Sequence, residues 1–149
     1  MKKFLLLLLP IVLNAQADIS FKEVDWLTDY ERALKEAVKQ EKNVLVYFTG
    51  SDWCPPCKML KKDFFETEAF SKLSEDYILL YIDLPRKRNL LSSDQLLHNQ
   101  QVLKKLNKKG VFPLLKILNK NEKVLGEISG YNMDGNTKKH LKFIEKHKA

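Results

Sequence analysis

An α/β fold with a central mixed sheet and helices on both faces is predicted by three features of the sequence. Two near-continuous apolar runs, Val44–Phe48 and Tyr77–Ile82, have the length and character of strands covered on both sides. Segments with helical apolar spacing separate them. Near the C-terminus, Leu114–Leu118 and Lys123–Ile128 flank the polar stretch Asn119–Glu122, which has the length of a hairpin turn. The resulting order, β-α-β-α-β-α-β-β-α, has a parallel beginning and an antiparallel end.

At 149 residues the chain is one domain by length, and its first 17 residues read as a leader. Met1-Lys2-Lys3 is a positive start, Phe4–Leu13 is apolar apart from Pro10, and Ala15-Gln16-Ala17 is a small-residue cleavage pattern. The apolar run is about half the ~20 residues a membrane span needs, so a stable anchor is not expected. No cysteine follows that run, which argues against a lipid-anchored form. The expected division is a signal peptide over 1–17 and a folded domain over 18–149, located in the periplasm or secreted.

Within the domain, Asp18–Val24 alternates as a short edge strand would. Thr28 and Glu31 have capping-box spacing, and Tyr30, Ala33, Leu34, Ala37 and Val38 then follow one helical face. After the Val44–Phe48 strand and the Thr49–Trp53 loop, a helix from Cys54 places Cys57, Leu60 and Phe64 on one stripe. Thr67 caps a further short helix with Phe70 and Leu73 inward. The strand from Tyr77 ends at Asp83, and Leu84–Ser93 reads as a surface segment. Ser92 and Gln95 offer a capping box for a helix presenting Leu96, Leu103 and Leu106 and ending at Gly110. A last helix, capped near Asn132 or Asp134, sets Met133, Thr137, Leu141 and Ile144 on one side.

Both cysteines of the chain sit in Trp53-Cys54-Pro55-Pro56-Cys57-Lys58, between a strand and a helix. At such a junction the first thiol meets the unpaired N–H groups and positive dipole end of the helix, both of which favour the thiolate. The two-residue gap lets the second sulfur resolve a mixed disulfide made by the first. A purely structural staple is disfavoured because closing so short a loop removes little unfolded-state entropy. A structural zinc site needs four ligands, and only three histidines remain to join two cysteines. Lys58 stands where covalent haem attachment would need a histidine.

These residues resemble the thioredoxin superfamily, with the Trp53–Lys58 stretch at the place of its Trp-Cys-x-x-Cys-Lys centre. Gly110-Val111-Phe112-Pro113 before Leu114–Leu118 is similar to the segment in which a cis proline opens a strand facing the cysteine pair. The likeness spans roughly residues 19–147, and Phe48-Thr49-Gly50-Ser51-Asp52-Trp53-Cys54 resembles the secreted thioredoxin-like proteins of bacteria. It implies a thioredoxin fold and a protein-disulfide oxidoreductase without metal or organic cofactor. Cys54 would be the surface nucleophile and Cys57 the resolving thiol. Trp53, Phe112 and Pro113 would bind substrate, with Pro55, Pro56 and Lys58 in the active-site helix.

Two departures from the family pattern stand out. Tyr47 takes the position of a buried acid that accepts the resolving thiol's proton, and an apolar residue near Leu79 replaces its lysine partner. A phenol with an ordinary pKa near 10 is a poor acceptor at neutral pH, so slower turnover is expected. His98 is the nearest substitute by residue type. The partners expected are protein thiols and disulfides and an upstream redox protein, with the chain a monomer. A peptide-binding module with a static disulfide is the rival reading.

Formal net charge is +7, falling to +5 once Lys2 and Lys3 leave with the leader. Acids interleave with the lysines and no aromatic-basic alternation occurs, which excludes nucleic-acid binding as the first reading. Arg86-Lys87-Arg88 is the one tight basic cluster, suited to an acidic partner.

If Cys54 caps its helix, Pro55 and Pro56 supply no N–H to its sulfur, leaving Cys57 N–H as the main donor. A weakly stabilised thiolate implies a reducing or isomerising couple, with a pKa nearer about 7 than about 3.5 and a potential nearer about −270 than −120 mV.

Overall fold

In a computed structural model, which describes residues 18–21 and 24–149, the leader expected over 1–17 lies outside the described residues. The elements are β1 (Ile19–Phe21), β2 (Val24–Trp26), α1 (Tyr30–Gln40), β3 (Asn43–Thr49), α2 (Pro55–Leu60), α3 (Glu68–Ser74), β4 (Tyr77–Asp83), α4 (Ser93–Leu106), β5 (Leu114–Leu118), β6 (Val124–Ser129) and α5 (Lys138–Lys146). The main sheet has the order β4-β3-β5-β6. β3 and β4 are parallel, while β5 runs antiparallel to both β3 and β6. The mixed sheet is therefore as the sequence predicts.

Strand β3 is buried along its whole length because its two faces serve two cores. Leu45 and Tyr47 point into an aromatic core with Trp26, Phe64, Phe65 and Phe70. Val44, Val46 and Phe48 point the other way, onto Ala33, Ala37 and Val102 of the helices α1 and α4. A continuous apolar run is thus the signature of a strand with no solvent face. Lys116 interrupts β5 and stays nearly buried by pairing with Glu127 at 2.8 Å and donating to the carbonyl of Leu106.

Several local expectations are corrected. The N-terminal segment is two strands, with β1 and β2 antiparallel, and Leu27 then bridges in parallel to Leu80 on the β4 edge. Trp26, which the alternation overlooks, is fully buried. Asp29 caps α1, accepting the Arg32 N–H at 2.7 Å, so the cap lies one residue beyond Thr28. Val38 is exposed because it falls about 80° around the helix from Tyr30, at the edge of the buried stripe.

After α2 the chain makes a π-helical turn, Lys61–Phe65, that widens the helix. Neighbouring Phe64 and Phe65 both reach the core there. Thr67 caps α3 as expected, accepting the Phe70 N–H at 3.2 Å. α4 is centred on Asn99, Val102 and Leu106, with Leu96 and Leu103 on its flank and its end at Leu106. Asn99 is buried because its amide donates to the Asp83 carbonyl at 2.8 Å, a contact no apolar pattern displays. Ser92 does cap α4, but Gln95 turns away to donate to Thr28 O and Asn99 Oδ1. β6 runs one residue later than expected, through Ser129. α5 begins at Lys138, since Asp134 spends its carboxylate on the Asn136 N–H and Met133 lies exposed in a left-handed turn.

His140 of α5 is fully buried between Phe64 and Tyr131, with Nε2 3.3 Å from Gly130 O and Nδ1 without a partner. Burial holds its pKa below the usual value of 6.5; the Gly130 carbonyl partly offsets this, and the nearby Lys139 charge adds to the lowering. The unfolded chain then binds the extra proton first, so the group removes stability as pH falls below about 6.5. Melting temperatures from pH 7 to 5 are expected to fall more steeply for the native chain than for His140→Leu. Equal slopes would dismiss this histidine as a source of acid sensitivity.

Candidate active site

The site forms where β3 ends and α2 begins. Cys54 N–H and Trp53 N–H both return to Gly50 O, at 2.9 and 3.2 Å, closing a tight turn. Gly50 is required there: a Cβ on it would stand 2.3 Å from the Trp53 ring. Asp83, at the end of the neighbouring strand, accepts Ser51 N–H at 2.9 Å and Ser51 Oγ–H at 2.5 Å. Burial raises the Asp83 pKa, and the Ser51 hydrogen bonds partly offset it.

Cys54 is the N-cap of α2, and its sulfur accepts the Cys57 N–H at 3.3 Å. Pro55 and Pro56 occupy the first two helical positions, so the donor count anticipated from the sequence is the one observed. The two sulfurs are joined in a disulfide, with Cα atoms 5.3 Å apart. Lys58 donates its N–H to Cys54 O and its ammonium to Asp52 O, both at 3.1 Å.

One expectation about exposure is corrected. Cys54 is only 3% exposed and Cys57 1%, so the first sulfur does not lie open at the surface. Trp53, next to it in the chain, is itself pinned on several sides. Its indole N–H donates to Leu84 O at 2.8 Å, its ring meets Phe112 edge-on at 5.3 Å, and the Arg86 guanidinium lies 4.3 Å above it.

The Phe112–Pro113 peptide is cis, as the motif implies. β5 starts just after it, with Leu114 opposite Phe48, which puts this segment at the same end of the sheet as Cys54. Gly130 N–H donates to Pro113 O at 2.9 Å, and the Asn107 amide bonds both the N–H and the C=O of Val111. The structure thus brings Trp53, Cys54, Cys57, Phe112 and Pro113 to one end of the fold.

Tyr47 lies beside Cys57, donating its hydroxyl to the Cys57 carbonyl at 3.0 Å. Burial pushes its pKa well above the usual phenol range. A cavity of about 300 Å³ opens beside Cys57, lined by Tyr47, Thr49, Ser51, Tyr81 and Lys58 among others. His98 is engaged elsewhere, accepting the Tyr30 N–H at 3.1 Å at the start of α1.

Sequence reasoning missed Asp52 and the segment after β4. The Asp52 carboxylate accepts Arg86 N–H and Lys87 N–H, each at 3.0 Å. Desolvation there is outweighed by these hydrogen bonds, which hold its pKa below the usual value. The only signals were the Arg-Lys-Arg cluster and the extra length after β4, and neither says which surface the segment meets.

A family model described as thioredoxin-like matches residues 25–120. The chain belongs to the thioredoxin-like family. It is 27% identical over 111 residues to the disulfide bond reductase DsbH of Chlamydia pneumoniae, covering 74% of this chain and 65% of that one. To the thioredoxin-related protein DsbJ of the same organism it is 35% identical over 60 residues, 40% of this chain and 17% of that one. The chain therefore spans less than two thirds of either relative. A solved DsbH oxidoreductase structure superposes with a TM-score of 0.64 at 23% identity, over 89% of this chain and 85% of the other. That likeness establishes the thioredoxin fold, with its mixed four-stranded sheet and flanking helices.

Proposed function

We propose that this chain is an exported thiol:disulfide oxidoreductase that works through Cys54 and Cys57 and reduces or isomerises protein disulfides. The observation that carries the direction is the cap of α2. Its sulfur receives one N–H, from Cys57, while two prolines fill the positions where a stronger oxidant would gather donors. A thiolate with few donors is a modest leaving group, so the dithiol form gives up electrons readily. A relative named as a disulfide bond reductase supports the same direction.

In the proposed reaction, the Cys54 thiolate attacks one sulfur of a substrate disulfide and releases the other as a thiol after protonation. Cys57 then loses its proton and attacks Cys54 Sγ, freeing the second substrate thiol. The pair ends oxidised by two electrons, and an upstream redox protein restores it. Tyr47 is unsuited to take the Cys57 proton because its hydroxyl already donates to Cys57 O and its pKa is raised. The cavity beside Cys57 supplies a solvent route instead. Trp53, Phe112 and Pro113 would hold the substrate chain, and Pro55, Pro56 and Lys58 would shape the helix start.

Equilibration in glutathione buffers, read by alkylation gel shift, tests this direction. A potential nearer about −270 mV than −120 mV is expected, and a value at the oxidising end would defeat the donor argument. Export to the periplasm or medium rests on the leader pattern of residues 1–17. The exported protein should have the intact mass of a monomeric chain starting at Asp18; a membrane-bound form retaining residues 1–17 would reverse that reading. The burial of both sulfurs favours a second reading, a peptide-binding module whose disulfide stays closed.

A further inference from the structure

The segment that follows β4 is fastened to the site by bonds of different kinds. Leu84 O holds the Trp53 indole, the N–H groups of Arg86 and Lys87 hold the two oxygens of Asp52, and the Arg86 guanidinium covers the Trp53 ring. The hydrogen bonds use main-chain groups of the loop; of its cationic side chains, the Arg86 guanidinium lies over the Trp53 ring and the Lys87 charge acts on Asp52. Among the ion pairs of the described residues, none includes Arg86, Lys87 or Arg88. All three side chains are exposed. A loop fastened beside Trp53 therefore carries three consecutive exposed cations, in no ion pair among the described residues, near a recessed disulfide.

We propose that residues 84–88 form a substrate-selecting wall, in which Arg86, Lys87 and Arg88 recognise carboxylates flanking the disulfide of an extended, acidic protein segment. This rests on the proposed redox reading of Cys54 and Cys57 and names the substrate class. The occupant follows from charge and reach. Three cations on the rim outnumber the Asp52 carboxylate, which the N–H groups it accepts keep ionised, and an incoming chain must pass Trp53 and Phe112 to bring a sulfur to Cys54. Exposed cations act mainly on encounter: they raise the local concentration of an acidic segment and repel a basic one. Bidentate pairing by an arginine already held over Trp53 adds orientation with little further loss of freedom. A nucleic acid or lipid surface would meet the same charge but carries no disulfide to reduce.

The test uses the reduced mature chain and three peptides that share one cystine-bridged loop, flanked by Glu, Ser or Lys. At low salt, kcat/KM is expected to be roughly ten-fold higher for the acidic than the neutral peptide, and lowest for the basic one. The preference should collapse at about 0.5 M salt. In a Lys87→Ser/Arg88→Ser double variant, the acidic-to-neutral ratio should fall towards one. Both side chains are exposed, and the backbone N–H that Lys87 gives to Asp52 is kept. Equal rates for all three peptides, or a preference unchanged in the variant, would overturn the proposal. If no peptide is turned over, the redox reading fails. The wall is then read by anisotropy titration of the oxidised chain with cysteine-free acidic and neutral peptides, where equal affinity would end it.

Discussion

Cys54→Ser is expected to abolish disulfide reduction, by more than about three orders of magnitude, whereas Cys57→Ser is expected to react once and remain joined to its substrate through Cys54. The difference follows from the place of each sulfur. Cys54 caps α2 and faces the positive end of that helix, while Cys57 lies within the first turn beneath the Tyr47 hydroxyl. Without Cys57 nothing in the site displaces the bound substrate sulfur. In the reduced native chain, iodoacetamide should label Cys54 faster than Cys57, since their similar burial leaves thiolate stability as the main distinction. Faster labelling of Cys57, or trapping by the Cys54→Ser variant, would exchange the two roles. A peptide-holding activity that survives loss of both cysteines would establish the static module instead.

The parts of this site that are legible in sequence are those written in adjacent residues. Two cysteines on either side of two prolines specify the cap, its single donor and the helix direction, because a helix start is a local structure. Gly110–Pro113 before an apolar strand is similarly local. The wall is not: Asp52 and Arg86 are 34 positions apart, and only the parallel pairing of β3 with β4 brings their loops together. A charged triplet looks alike whether it is solvated or lies against an active site.

The same distinction explains the errors in the fold. Buried strands were readable because both faces of β3 and β4 are apolar. Helix caps drifted because Thr28, Asp29, Asn132 and Asp134 all have capping chemistry, and tertiary contacts decide which is used. Tyr30 N–H goes to His98, which leaves Asp29 to serve Arg32. Asn99 was invisible because a buried amide that bonds a strand carbonyl looks polar in a hydropathy pattern.

Trp26→Ala is expected to cost about 3–5 kcal/mol of folding stability, the usual range for deleting a buried aromatic side chain. Trp26 is fully buried and meets five rings: it stacks on Phe70 at 5.8 Å and contacts Phe65, Phe21, Tyr47 and Tyr81 at 5.1 to 6.4 Å. Its neighbours belong to β1, β3, β4, α3 and the π-helical turn, so a cavity there cannot close by moving one element. At roughly 2–4 °C per kcal/mol, the melting temperature should drop by about 10 °C. Trp26→Phe should cost much less, because the indole N–H has no partner to lose and most of the ring volume is kept. The effect should reach the site as well. Tyr47, 6.0 Å from Trp26, holds the Cys57 carbonyl at the first turn of α2, so a slackened core lets the resolving sulfur drift from Cys54. Urea unfolding gives the stability, and single-turnover decay of the mixed disulfide gives the resolving step. A stability loss under about 1 kcal/mol would mean that the aromatic core re-forms around the gap. Unchanged resolution at full destabilisation would show that Tyr47 positions Cys57 independently of Trp26.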